Sequence, residues 1–524
     1  MGRAAVPFFL TLVAAYGCSQ NVGTATTSCE GLASLVLPNT ASVSAQTVAA
    51  GAFTPPSPPG STAPKPFGDL ASFCRVTATL KPTSVPSDVK IEVWLPIQGW
   101  NGDFQPAGSG FWGGNLPFGR MHEIARTGAV TAGTSLGVEG FAGPSFAIEH
   151  AELLNNLGNV PFHAMVEYAK AVMQAYYGRG PSFTFMDECG GGGSRDGLAE
   201  VQRFPGDFDA VSAVGFTNYG THHGVAQMWV WQATHKTPAH YIPPSKYPLI
   251  RQAALDACDA DDGVKDGLIE DPTRCSYDPS VLQCKGVEGP TCLTGPQVEA
   301  VRTIYSTPVN TRTREYIYGS MPPGGELGWE AMAGPMPYPY AVPFYRNLVF
   351  KDPKWDYKTR PVNFDSDMDR VDSPQNSVIN GLDSDISRFI DRGGKLFMMG
   401  GWGEHTLGPG NNVYYYESIV QKLGAEKTKD SVRLFMVPAM DHCLGAEYAT
   451  APTVNFDVPS ALKQWKATGK APDQLVVTMS EKGKPDRRRL VCAFPQVASH
   501  KGTGDPTDPG NFVCKSPQGK RVRL

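Results

Sequence analysis

The stretch Ser182-Phe-Thr-Phe-Met-Asp-Glu-Cys-Gly-Gly-Gly-Gly-Ser-Arg-Asp-Gly197 carries the strongest chemical signal in the chain. An apolar, aromatic run enters four glycines, and Leu198-Ala-Glu-Val-Gln-Arg-Phe204 leaves them with helical spacing. Strand, tight turn and helix in that order make a nucleophile elbow, where glycines let the backbone fold sharply enough to expose one side chain. The slot after Cys189 holds Gly190, so the turn is present without the serine expected to attack. Ser194 could supply the hydroxyl if the turn is wide; the other reading makes it a cap on the following helix. Glu188 offers a third route, because a carboxyl in an apolar pocket has a raised pKa and can act as an acid.

Two later segments hold the matching partners. Arg392-Gly-Gly-Lys-Leu-Phe-Met-Met-Gly-Gly-Trp-Gly-Glu404 reads as a glycine stop, a buried strand and a loop ending in an acid. Ser431-Val-Arg-Leu-Phe-Met-Val437 is another buried strand, followed by Pro438-Ala-Met-Asp-His442. An acid after one strand and a histidine after the next, both later than the elbow, give the chain order of an α/β-hydrolase triad, with Glu404 and His442 in those roles. Upstream, Asn101 to Gly114 sets glycines among aromatics in a loop able to turn N–H groups towards an oxyanion. Gly110 of that loop and Gly191 of the elbow are the candidate donors.

A further cluster lies at Cys258-Asp-Ala-Asp-Asp-Gly-Val-Lys-Asp-Gly-Leu268. Carboxylates of Asp259, Asp262 and Asp266, with the carbonyls of Val264 and Leu268, suit a hard cation that takes oxygen ligands. The EF-hand template fails because its sixth position would be Val264. Repulsion among close carboxylates favours bound calcium over a solvated acidic turn.

Positioning these groups requires a sheet. Val89 to Leu95 and Cys74 to Leu80 alternate apolar and polar residues, as antiparallel strands do. Ala125 to Val138 reads as a strand and its exit loop, His163 to Tyr177 as a helix, and Asp207 to Val214 as a buried strand. Strands alternating with helices predict an α/β fold with a mostly parallel sheet. From about 217 to 374 aromatics sit among prolines and glycines without that rhythm, which predicts an inserted lid. The hydrolase core is then discontinuous, 19–216 and 375–524.

With 524 residues, 18% charged, and a net charge of −4, the chain has the balance of a globular protein and no basic stripe for nucleic acid. Residues 1–18 read as a signal peptide, too short to span a bilayer, and Ala15-Tyr-Gly-Cys18 could form a lipobox with Cys18 as lipid anchor. The expected location is secreted, periplasmic or cell-surface. Setting Cys18 aside, ten of the eleven cysteines remain, an even number that implies disulfides in an exported chain without fixing their pairing.

From about Cys29 to Cys514 the chain resembles the tannase and feruloyl esterase family. The resemblance rests on Cys74-Arg-Val, the Asn101-Gly loop, Gly197-Leu-Ala-Glu-Val-Gln-Arg-Phe-Pro-Gly-Asp-Phe-Asp209, the Cys258–Cys275 loop, Gly401-Trp, Met440-Asp-His-Cys-Leu-Gly445 and the closing Cys492 to Cys514 segment. It implies an α/β-hydrolase core with a large lid, calcium on Asp259, Asp262, Val264, Asp266 and Leu268, and a small aromatic ester as substrate. It also implies the pairs Cys29–Cys74, Cys189–Cys443, Cys258–Cys275, Cys284–Cys292 and Cys492–Cys514. The family elbow resembles Gly-Cys-Ser-x-Gly-Gly-Arg, whereas this chain has Glu188, Gly190 and one extra residue before Arg195. The expectation is an ester hydrolase with an altered nucleophile. The rivals are an acid–base lyase or isomerase using Glu188, and a non-catalytic binding protein.

Overall fold

The structure is a computed structural model that describes residues 27–56, 64–82, 87–138, 143–445, 448 and 451–522. The expected signal segment and Cys18 lie outside the described residues. Strands β1 (Thr40–Val48), β2 (Phe73–Leu80) and β3 (Val89–Pro96) pair antiparallel in chain order. β4 (Asp103–Phe104) follows, then helix α1 (Phe118–Ala125) and β5 (Thr131–Thr134), which pairs antiparallel with β3. Ala125, expected to open a strand, instead ends α1; Gly128, at φ 81°, turns the chain before β5 begins.

Helix α2 (Val160–Tyr177) leads to β6 (Phe183–Cys189), helix α3 (Gly190–Arg203) and β7 (Ala210–Val214). β8 (Lys395–Gly401) and β9 (Val432–Val437) complete a parallel sheet in the order β4-β6-β7-β8-β9. Backbone bonds Val130 N–H to Asp103 O (3.1 Å) and Ala107 N–H to Ala132 O (2.8 Å) join this sheet to the antiparallel one through β5. At the other end Phe494 N–H donates to Leu434 O at 2.8 Å. That contact continues the sheet into three antiparallel strands, β10 (Thr453–Asn455), β11 (Gln474–Ser480) and β12 (Arg487–Cys492).

The parallel strands are near-continuous apolar runs because both faces are covered. Met186, Val211, Leu396, Met398 and Leu434 pack with Val166, Met173, Leu198 and Val201 of α2 and α3. The alternate residues Phe185, Phe397, Met399 and Phe435 pack on the opposite face with Val458, Leu462 and Trp465 of the helix Val458–Thr468. The α/β architecture is the one expected.

Residues between β7 and β8 include α4 (Gly220–His235), α5 (Tyr247–Cys258) and α6 (Gly295–Tyr305), which build a separate apolar cluster around Val230, Ile250, Val298, Val301 and Trp329. Helix α4 escapes a periodicity search for a physical reason. Twelve of the sixteen residues of α4 are buried, so it has no polar stripe to reveal its turn.

Candidate active site

The elbow forms at the carboxyl end of β6. Gly190 adopts φ +79°, a left-handed conformation open to glycine at no steric cost. A Cβ built on it would lie 3.1 Å from His442 Nε2. Gly190 therefore occupies the place from which a nucleophilic side chain would face the imidazole, and it presents only an α-carbon there.

The acid and the base arrive from neighbouring strands. Glu404 lies past β8 and His442 past β9, and Glu404 Oε2 is 2.7 Å from His442 Nδ1. The other oxygen, Oε1, accepts Thr406 N–H at 2.8 Å and Thr406 Oγ1–H at 2.9 Å. Burial alone would raise the Glu404 carboxyl, but His442 and the Thr406 donors outweigh it and hold the pKa at about 2. The acid is ionised at neutral pH and fixes the imidazole with Nε2 towards the elbow. The two loops also cross-pair a second time, because His405 Nδ1 bonds the buried Asp441 carboxylate. Their close approach explains Gly401: a Cβ there would meet Met440 O at 1.9 Å.

Cys189 and Cys443 flank Gly190 and His442 and are joined to each other. The remaining pairs are Cys29–Cys74, Cys258–Cys275, Cys284–Cys292 and Cys492–Cys514, the five that the resemblance implies.

A cavity of about 440 Å³ opens over this centre, lined by Phe111, Trp112, Gly191, His223, Tyr340, Leu407 and His442 among others. Trp112 stacks on Tyr340 with ring centroids 5.3 Å apart, and Phe111 meets Tyr340 edge-on at 4.9 Å. Burial drives His223 down to about 4 against the pull of the Thr406 carbonyl, so this wall is a neutral imidazole. A cavity of about 560 Å³ between Trp231, Tyr357 and Phe364 belongs to the lid and includes neither Gly191 nor His442.

Two of the expected catalytic residues stand elsewhere. Ser194 is the fifth residue of α3, and its buried hydroxyl donates to Glu188 O at 2.9 Å and Val214 O at 3.0 Å. It neither caps the helix, which starts at Gly190, nor faces His442. Glu188 is not among the residues lining the His442 cavity. Its Oε1 accepts Gly108 N–H and Arg120 Nε–H, both at 3.1 Å. Burial raises its carboxyl as the acid–base reading expects, but the group does not open on that cavity. Of the oxyanion candidates, Gly191 lines the cavity at the start of α3, while Gly110 does not and is exposed; its neighbour Phe111 takes that position.

Thr406 and the Phe111–Trp112–Tyr340 wall were not singled out from the sequence. A threonine two residues after the acid is the sort of local donor that would have pointed to Thr406.

In the acidic loop, Asp259 accepts the N–H groups of Asp266 and Gly267 at 3.1 and 3.0 Å. The buried Arg489 bonds Asp262 at 2.7 Å and Glu270 at 2.8 Å, and also bonds Asp266. Three carboxylates thus gather about the Arg489 guanidinium, and Arg487 stands 3.4 Å from Asp266; burial first and then Glu270 and Asp266 raise Asp262 to about 6 despite Arg489. Among the described residues Asp259, Asp262 and Asp266 do not form a group of three converging ligand oxygens, and calcium would need them to turn from these partners.

The family described as "Tannase and feruloyl esterase" matches residues 74–515. The chain belongs to the tannase and feruloyl esterase family. By class it is a carboxylic ester hydrolase. An uncharacterized esterase of Xanthomonas campestris pv. campestris is 34% identical, over 97% of this chain and 95% of that protein. The crystal structure of feruloyl esterase B from Aspergillus oryzae superposes with a TM-score of 0.81 at 25% identity, covering 93% of this chain and 99% of the other. Tannin acyl hydrolase from Aspergillus niger shares the fold, with a TM-score of 0.72 at 19% identity over 90% of each chain.

Proposed function

We propose that the protein is an exported ester hydrolase for small aromatic acyl esters in which water, activated by His442, takes the place of the elbow serine. The observation that carries this reading is the placement of Gly190 at 3.1 Å (Cβ position) from His442 Nε2, with Nδ1 already held by ionised Glu404. Omission of a serine Cβ and Oγ leaves room on the scale of one water beside a basic nitrogen. His442 Nε2 takes a proton from that water as its oxygen adds to the ester carbonyl. The oxyanion develops near the start of α3, where unsatisfied N–H groups favour negative charge. Collapse expels the alcohol, which receives the proton back from His442. The aromatic walls of Phe111, Trp112 and Tyr340 support an aromatic acyl or alcohol group.

Export is supported by the five disulfides, which persist in oxidising compartments; among the described residues no helix is long and apolar enough to cross a membrane. Asp259, Asp262 and Asp266, with the carbonyls of Val264 and Leu268, would hold calcium as a structural ion.

The mechanism is tested with an aryl ester. His442→Ala should lower kcat by roughly 10²–10⁴, the range of a general base, and intact-protein mass spectrometry of the parent during turnover should reveal no acylated species. An acyl-enzyme on any residue of the parent would refute direct water attack. Undiminished turnover in His442→Ala would refute the site.

A further inference from the structure

The two oddities before Arg195, a glutamate at 188 and one extra residue in the turn, meet at one place in space. Glu188 leaves the end of β6 and passes between two backbone surfaces. A Cβ on Gly108 would come within 3.1 Å of the Glu188 carboxyl carbon and 2.5 Å of Gly193 Cα. A Cβ on Gly193 would come within 2.8 Å of Glu188 Oε2. Gly193 has no room for a side chain while the carboxylate is there, and at Gly108 the backbone of Gly193 leaves none either. The Glu188 side chain is itself only 9% exposed, and Oε1 takes both Gly108 N–H and Arg120 Nε–H.

Gly108 opens the segment that carries Phe111 and Trp112 to the cavity. The rest of that segment is held by α3, the arm that leaves the elbow. Asp196 Oδ2 accepts Ser109 N–H at 2.9 Å, and Arg195 Nη1 donates to Phe111 O at 2.9 Å. Glu188 adds a tie from the arm that enters the elbow.

We propose that Glu188 is a positioning residue: it clamps the Gly108–Trp112 loop, through Gly108 N–H and Arg120 of α1, at the distance from His442 at which an aromatic group is gripped. The extra glycine is the space this carboxylate requires, so the two oddities are a single adaptation. With no serine at 190 to anchor the acyl group covalently, substrate alignment rests on the cavity walls, and the wall carrying Trp112 is the one Glu188 sets. This rests on the proposed reading for its catalytic consequence and on geometry alone for the loop.

The clamp is titratable near neutrality. Burial raises Glu188 to about 7, with Arg120 and the Gly108 N–H pulling down and Asp187 pushing up. The groups facing it are Arg120 from α1, Asp187 from its own strand and the Gly108 peptide; Glu123 and Asp187 share Arg120 with it. Deprotonation strengthens the bond from Gly108 N–H, so the grip tightens as pH rises through about 7.

The experiment reads binding and turnover separately, in the full chain. A neutral probe that is not an ester and has no ionisable group in this range, benzamide, is titrated by tryptophan quenching from pH 5 to 9, and kcat and KM are measured for an aryl ester. The parent should bind the amide several-fold more tightly above pH 7 than below it. Glu188→Gln should lose that pH step and raise KM several-fold, with kcat within twofold. Gly193→Ala, which displaces the carboxylate but keeps its charge, should raise KM likewise; Glu188→Asp should restore part of the step. A pH step that survives in Glu188→Gln, or amide binding equal in all four proteins at every pH, would overturn the clamp. If the parent hydrolyses no ester, the amide titration still decides, and it is the function reading alone that fails.

Discussion

At the residue scale the proposed chemistry turns on one position, Gly190, which carries no side chain towards His442. Gly190 sits at the strand-to-helix turn with a left-handed φ, and His442, the proposed general base, faces it. Gly190→Ser should therefore restore the standard route. The left-handed φ of +79° makes any L side chain strained, a cost on the order of 1–2 kcal/mol. That strain is small beside the gain of a hydroxyl at His442, and mass spectrometry should find an acyl-serine at 190 during turnover. Absence of that adduct in a folded variant would mean that the imidazole does not serve the elbow. Ser194→Ala, by contrast, should leave kcat unchanged and cost about 1 kcal/mol, since the hydroxyl only bridges two carbonyls. The ionised Glu404 has a pH signature of its own. Its folded pKa of about 2 lies below the unfolded value of about 4.3. The stability it contributes is thus complete above pH ~4.3 and is lost as pH falls towards 2. Glu404→Gln should flatten the acid limb of a thermal-unfolding profile over that window; an unchanged limb would mean that other carboxylates dominate it.

Among the elements, the two loops that bring acid and base together show what a sequence can and cannot reveal. The order elbow, acid, histidine was legible because each group follows a strongly apolar strand in a fixed sequence. Pairing of the loops was not, since nothing in the spacing of Glu404-His405 and Asp441-His442 says that each acid takes the other loop's imidazole. The misplacement of Glu188 and Ser194 has the same origin. One inserted residue changes which side chains a turn exposes, and the contacts that decide it come from Gly108, Arg120 and Val214, far away in the chain. Helix α4 is not legible in the sequence because it is buried on nearly all sides. A testable consequence concerns the disulfide across the site. Cys189–Cys443 spans 254 residues, so in the loop-entropy model it contributes on the order of 5–6 kcal/mol. Replacing both cysteines by alanine should lower the melting temperature and also raise the scatter of the His442 loop, reducing kcat more than KM. A double variant as stable and as active as the parent would show that the loop crossing alone fixes the dyad.

At the scale of the whole molecule, the segment between β7 and β8 builds its own apolar cluster, and the acidic loop is one place where that segment is tied to the rest of the chain. Asp262, Asp266 and Glu270 reach Arg489 on β12, more than two hundred residues away in the chain. Two accounts of that tie make different predictions. If Arg489 alone balances the carboxylates, a chelator should leave the melting temperature where it is. If calcium shares the charge, chelation should lower it by a few degrees, because a ligand at 100 times its dissociation constant contributes about 2.7 kcal/mol. The excess of carboxylates over guanidinium favours the second account. Asp262→Ala separates the two further: it removes a hard ligand and one partner of Arg489, so the variant should melt lower than the parent and respond little to chelator. Added calcium should restore the chelated parent and leave the variant unmoved. Equal chelator sensitivity in both proteins would place the ion elsewhere, and none in either would leave the tie to Arg489.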